Sequence, residues 1–297
     1  MSSDYISRLR GELLRAGAAQ PARRRSARAL RHLRPLAVAA AIAAIVAAVA
    51  LTLPDGTERE VAADTVRLDY RVEPVAAALD TAACLRDRLA RLGVHGAKVT
   101  ATTDGVTITG PAAARADLAA VTQPGELAVY DWERSVLGPR GLPAPDDPEV
   151  TGGEDAGHSA ALSRREAESR GRAVRASGDR WFALGDQPAF TNADITRAEA
   201  STDPAVNEPV VLIELTDAAQ RRFRDFTRDL SRRGSDQREN QHLAITLDDH
   251  LAVPYIDWRQ APDGVDGPLQ LAGGFTPETA RQTAAILNAG PLPGKLM

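Results

Sequence analysis

The chain has 297 residues, 43% of them hydrophobic and 26% charged, with a formal net charge of -4. That is enough apolar material for one large domain or two modest ones, while an acidic body offers no phosphate-neutralising surface and so excludes nucleic acid as a partner. Cys84 is the only cysteine, which excludes an intrachain disulfide and any multi-cysteine zinc or iron-sulfur site.

The charge is unevenly placed. Residues 1–34 carry nine Arg against Asp4 and Glu12, a net +7, which leaves -11 for everything downstream. Within this basic tail Tyr5, Leu9 and Leu13 recur every fourth residue with Ile6 and Leu14 beside them, and Arg8, Glu12 and Arg15 take the other positions. The spacing predicts a short amphipathic helix suited to an anionic inner leaflet or a cytoplasmic partner.

Residues 35–53 form an uncharged run, PLAVAAAIAAIVAAVALTL. At about 1.5 Å per residue it nearly crosses a ~30 Å hydrocarbon core. Arg23, Arg24, Arg25, Arg28, Arg31 and Arg34 precede it, and the positive-inside rule keeps that end in the cytoplasm. A cleaved signal peptide is the competing reading, but the leader ahead of the run is unusually long for one. The expectation is a single membrane span with the body outside the cell membrane, after a spacer at 54–65.

Val66, Leu68, Tyr70 and Val72 then alternate with Arg67, Asp69 and Arg71, the period of a half-buried strand. Ala82, Leu85, Leu89 and Leu92 share one helical stripe ended by Gly93. Two Thr/Val-rich runs, 97–102 and 106–109, flank an Asp104-Gly105 hairpin signal. A helix at 113–121 and a strand at 126–132 follow. The order strand, helix, strand, strand, helix, strand predicts a ferredoxin-like base over 66–133.

From 134 to 179 the pattern dissolves into Pro, Gly, Asp and Arg, read as a flexible insertion with a polar helix at 163–174 on its far side. Residues 180–297 form a second α+β lobe. A strand at 180–184 opens it, and TNADITRAEA (191–200) reads as a short capped helix. VVLIEL reads as a central strand covered on both faces. Ala219, Phe223, Phe226 and Leu230 stripe a helix stopped by Gly234. Residues 243–247 and 251–256 flank an Asp248-Asp249-His250 turn, with Pro254 forcing an edge or bulge. Residues 269–272 are strand-like. Thr276 caps a last helix with Pro277 at its first position and Gly290 at its end.

Motifs for chemistry are lacking. There is no phosphate-cradling Gly-rich loop, HExxH or CxxC. Gly157-His158-Ser159-Ala160-Ala161 fails as a nucleophile elbow because its last residue is Ala and no strand leads into it. Asp248, Asp249 and His250 are adjacent in a turn and point apart, so they read as a turn rather than as metal ligands. No catalytic, cofactor-binding or metal site is assigned, and the expectation is a protein without enzymatic activity or cofactor.

AITLDDHLAVPYI (244–256) resembles a segment of the SecD family of protein-export subunits, a strand, a turn and a second strand carrying Pro. GGFTPETARQTAAILNAGPLP (273–293) is similar to that family's Gly-Phe-Thr helix and its Gly-Leu-Pro ending. The order of 191–230 is also similar to the large first periplasmic domain of SecD. The resemblance implies structural or interaction roles for Asp248, Pro254, Gly273, Gly274, Phe275, Gly290 and Pro293. It implies as partners the cell membrane, export-channel or SecF-like subunits and exported polypeptides. The family's proton-conducting bundle follows the Gly-Leu-Pro ending, where this sequence has only Gly294 to Met297, so the expected role is an accessory module that binds polypeptides or partners. The alternative is an envelope sensor or adaptor that signals through the 1–34 tail.

Overall fold

The alternating run at Val66 forms the strand its period implies, with Val66, Leu68, Tyr70 and Val72 buried and the residues between them more exposed. The computed structural model describes residues 57–62, 64–138, 162–176, 180–185 and 187–297. The basic tail 1–34, the apolar run 35–53 and most of the insertion, including 157–161, lie outside the described residues. Among those described, no helix is long and apolar enough to cross a membrane.

The base consists, in chain order, of β1 (Thr57–Ala62), β2 (Thr65–Glu73), α1 (Ala78–Arg91), β3 (Lys98–Ala101), β4 (Gly105–Pro111) and α2 (Arg115–Ala120). Its sheet has the antiparallel order β1-β2-β4-β3. Ala82, Leu85 and Leu89 of α1 and Leu118 of α2 pack onto Val72, Val106 and Ile108.

The chain then builds a head: β5 (Leu127–Asp131), the one-turn helix α3 (Trp132–Ser135), β6 (Val136–Leu137), α4 (Arg164–Arg170), β7 (Arg172–Ala176), β8 (Arg180–Leu184) and β9 (Phe190–Thr191). β10 (Ile195–Asp203), β11 (Glu208–Leu215), α5 (Asp217–Gln237), β12 (Gln241–Leu247), β13 (His250–Ala252), β14 (Tyr255–Ile256), β15 (Leu269–Leu271) and α6 (Pro277–Ala289) complete it. β16 (Lys295–Leu296) returns to the base and pairs with β2. The head has one sheet of order β6-β8-β7-β13-β12-β5-β9 with β14 on β12, and a second of order β10-β11-β15.

The ferredoxin-like expectation is corrected at its fourth strand. β5 leaves the base and pairs with β12 and β9 in the head. Every residue of β5 is buried. Leu127 and Val129 face the core around Phe223 and Leu230, while Ala128 and Tyr130 face a smaller core around Trp132 and Phe182. A strand apolar on both faces needs cover on both, and the head sheet supplies it. The vacant place beside β2 is filled in two pieces. β1, inside the expected 54–65 spacer, pairs with Thr65 to Asp69, and β16 pairs with Val72 and Glu73.

Three local expectations are also corrected. Residues 191–200 hold only a 3-10 turn at Asn192–Asp194, capped by Thr191, before β10 runs along the whole of β11. The far side of the insertion is the short helix α4 with a Ser163–Glu166 capping box, followed by β7 rather than more helix. Gly234 does not stop α5, which continues to Gln237 and ends at Arg238 with φ +60°. A Cβ at Gly234 would lie 2.7 Å from the Glu239 carbonyl oxygen, so glycine there permits a close approach rather than a stop.

Other expectations hold. β11 is the central strand of its sheet. The ladder along β12 breaks at Pro254, whose carbonyl accepts from the Leu243 amide at 2.8 Å. Thr276 caps α6 by accepting from the Thr279 amide, with Pro277 at the first position and Gly290 just beyond the end. α6 is buried nearly all round, because it packs on β10 and β11 of the head and on α1 of the base. Asn288 fixes its rotation, donating to the Ala198 carbonyl at 2.7 Å and accepting from the Ala198 amide at 2.8 Å.

Candidate functional site: the cleft between head and base

Two stretches join the lobes. Residues 121–126 lead from α2 to β5, and 290–294 lead back from α6 to β16. Arg88 holds both. It follows Leu85 by one turn on the apolar stripe of α1 and is fully buried. Its Nη1 donates to the carbonyls of Val121, at 2.8 Å, and Gln123. Its Nη2 donates to the carbonyls of Pro124, at 2.9 Å, and Gly290, at 2.6 Å. The Pro124 carbonyl also accepts from the Leu292 amide at 2.9 Å, so the connectors are bonded to one another. Burial draws the Arg88 pKa down, and the nearby Cys84 and Asp248 oppose that shift.

Asp248 occupies the two-residue turn between β12 and β13 with φ +59°, a conformation Asp tolerates better than most residues. Its amide donates to the Glu126 carbonyl at 2.8 Å and its Oδ1 accepts from the Glu126 amide at 2.8 Å. The head hairpin is thereby tied to the outgoing connector. Burial raises the Asp248 pKa, against the pull of the Glu126 and Gly125 amides and of Arg88.

Beyond this junction opens a cleft of about 830 Å³. Its base wall is made of connector and strand, with Thr122, Gln123, Leu292, Pro293 and Lys295 among its lining. Its head wall carries Arg164, Arg172, Arg175, Trp181, Asp249 and His250. The Arg164 and Arg175 guanidinium carbons lie 5.2 and 5.9 Å from the Trp181 ring centroid. Arg175 Nη2 donates to His250 Nε2 at 3.0 Å, and His250 Nδ1 lies 2.9 Å from Asp249 Oδ1. Arg172 Nη2 donates to the Asp248 carbonyl at 3.0 Å and pairs with Glu126 at 3.4 Å.

Of the residues singled out in the sequence, Asp248, Gly290 and Pro293 converge on this junction. Pro254, Gly273, Gly274 and Phe275 do not. Pro254 breaks the β12 ladder. Gly273 and Gly274 have φ +100° and +69° in the loop before α6, and Phe275 is buried in the head core. Sequence reading missed Arg88, although a lone Arg on an otherwise apolar stripe was its visible signal. It also missed Trp181 and Arg175, which meet only through the β7–β8 pairing.

The two lobes and the cleft define a head-and-base α+β module. The sequence family described as "SecDF, P1 head subdomain" matches residues 168–294. The protein translocase subunit SecD of Aquifex aeolicus is 32% identical over 120 residues, 40% of this chain and 21% of that protein. The SecD of Calditerrivibrio nitroreducens is 31% identical over 113 residues, 38% of this chain and 20% of that protein. The matched stretch thus spans about a fifth of the length of these relatives. A crystal structure of SecDF in its super-membrane-facing form covers 82% of this chain and 30% of its own at 21% identity with a TM-score of 0.51, a likeness of fold. Residues 168–294 are a SecD-family head-like domain.

Proposed function

We propose that this chain is a membrane-tethered, extracytoplasmic module accessory to protein export, which holds extended polypeptide in the cleft between head and base and turns over no substrate. The observation that carries the reading is the pairing of a SecD-family head-like domain with a cleft of about 830 Å³ walled by the two connectors and β16 on one side and by Trp181 and arginines on the other. Such a surface suits an unfolded chain, which offers backbone hydrogen bonds at every residue and side chains in turn. The tether rests on the 35–53 run and its Arg-rich flank.

Photo-crosslinkers placed at Gln123 and Trp181 of the full chain in native membranes test this. Actively exporting chains should be captured, and capture should cease when export is blocked. Capture of no exported polypeptide at either position overturns the reading. A reporter fused at Met297 tests the tether, and cytosolic activity of that reporter counts against it.

A further inference from the structure

We infer that the cleft selects an acidic segment of polypeptide and binds it as an added β-strand on the open edge of β16, an inference that rests on the polypeptide-binding reading above. The edge follows from register. Arg71 and Met297 exchange both backbone N–H···O bonds, each 3.0 Å, which makes them a hydrogen-bonded pair. In an antiparallel ladder such pairs alternate with non-bonded ones. Leu296, opposite Val72, therefore directs its N–H and C=O away from β2. Among the described residues neither group has a partner. Both residues of β16 line the cleft, so its unpaired edge lies where an incoming strand would run.

The charge preference follows from what the walls already satisfy. Arg164, Arg172, Arg175 and Lys295 line the cleft against Glu126, Asp248 and Asp249. Each of those carboxylates is engaged: Asp248 by the Glu126 amide, Asp249 by His250 and Glu126 by Arg172. Among the described residues Arg164 forms an ion pair only with Glu168, an exposed contact on its own helix, and such pairs are held weakly. Among the described residues Lys295 makes no ion pair. The Arg164 and Arg175 guanidinium carbons lie 5.2 and 5.9 Å from the Trp181 ring centroid, so both cations stand beside that ring on the head wall. A strand on β16 with carboxylates on its head-facing side meets these cations, and one with lysines there meets like charge.

The test is fluorescence anisotropy of the full chain in detergent micelles with short labelled peptides alternating Val and Glu. The controls are the same peptide with Lys for Glu and the Glu peptide N-methylated at its central residue. The Glu peptide should bind at least about tenfold more tightly than the Lys peptide, and N-methylation should weaken it about tenfold. The double variant R164E/R175E should bring the Glu and Lys peptides level. Equal binding of the Glu and Lys peptides overturns the inference, as does indifference to N-methylation; both leave polypeptide binding standing. Binding of no peptide while the crosslinks to exporting chains persist also overturns it and spares the export reading. Loss of both peptide binding and crosslinks removes the two together.

Discussion

Arg88 and Gly290, 202 positions apart in sequence, are joined by a 2.6 Å hydrogen bond from Nη2 to the carbonyl oxygen. That guanidinium also grips the other connector, so one side chain sets how the two stretches between base and head lie against each other.

Arg88→Met keeps the length of the side chain and removes its donors. Four carbonyls lose that donor at once, although the Pro124 carbonyl keeps the Leu292 amide. The expected loss is about 3 kcal/mol, given that a buried acceptor left unmade costs roughly 1–3 kcal/mol and that some carbonyls will recruit water. Urea unfolding of the full chain in detergent measures it. A change within about 0.5 kcal/mol, the usual range for a surface substitution, refutes the connector-holding role.

Gly125 lies between the Arg88 contacts and β5 at φ +79°. An added Cβ would approach Ile286 Cγ2 to 2.5 Å and Arg88 Nη2 to 2.8 Å. Gly125→Ala should therefore cost at least about 1–3 kcal/mol from backbone strain alone, read as a lowered unfolding midpoint. Gly267→Ala, also at positive φ but with nothing near the added carbon, isolates the strain, and its smaller loss is the comparison that matters.

Asp248 gives a pH dependence whose sign is fixed. Its folded-state pKa is raised by burial, so the native state holds the proton more tightly than the unfolded chain. Stability from this group is present below the unfolded pKa and declines as pH rises through the raised folded value. Asp248→Asn keeps the acceptor for the Glu126 amide and tolerates the positive φ. It should flatten that decline, so its stability relative to the native sequence should rise with pH above the ordinary carboxylate range. Parallel curves for the two proteins across that window would show that the turn does not titrate as argued.

The head has a second polar junction. Arg233 of α5 pairs with Asp131 at 2.7 Å, and Glu133 Oε1 accepts from the His242 amide and lies 2.8 Å from His242 Nδ1. Burial raises the Asp131 pKa and Arg233 opposes the rise. Arg233→Ala should cost about 1–3 kcal/mol by leaving that carboxylate without its main partner. Asp131→Asn in the same background should recover part of the loss. A double-mutant cycle on thermal unfolding measures the coupling.

Much of this architecture was readable because it is local. Thr276, Pro277 and Gly290 bound α6 through interactions within a turn or so, and the Val66 alternation needs only one covered face. The misreadings have one source, pairing partners distant in sequence. Leu127 to Asp131 had the right length and composition for a strand, but which sheet it joins depends on residues 241–247. Ile195 to Asp203 contains Ala and Glu that favour helix, yet its long ladder with β11 overrides them. In the cleft, Asp248 was legible through its turn. The Trp181 and Arg175 wall was not, because neighbours across a β-ladder carry no signature in spacing.

β16 completes the base only after the whole head has been made. Leu296 and Ala285 both enter the base core, and Lys295 lies opposite Glu73 in the β16–β2 ladder. On an emerging polypeptide the base must therefore wait with a gap beside β2. That gap closes when α6 is docked, so a head that fails to fold leaves its neighbour unfinished.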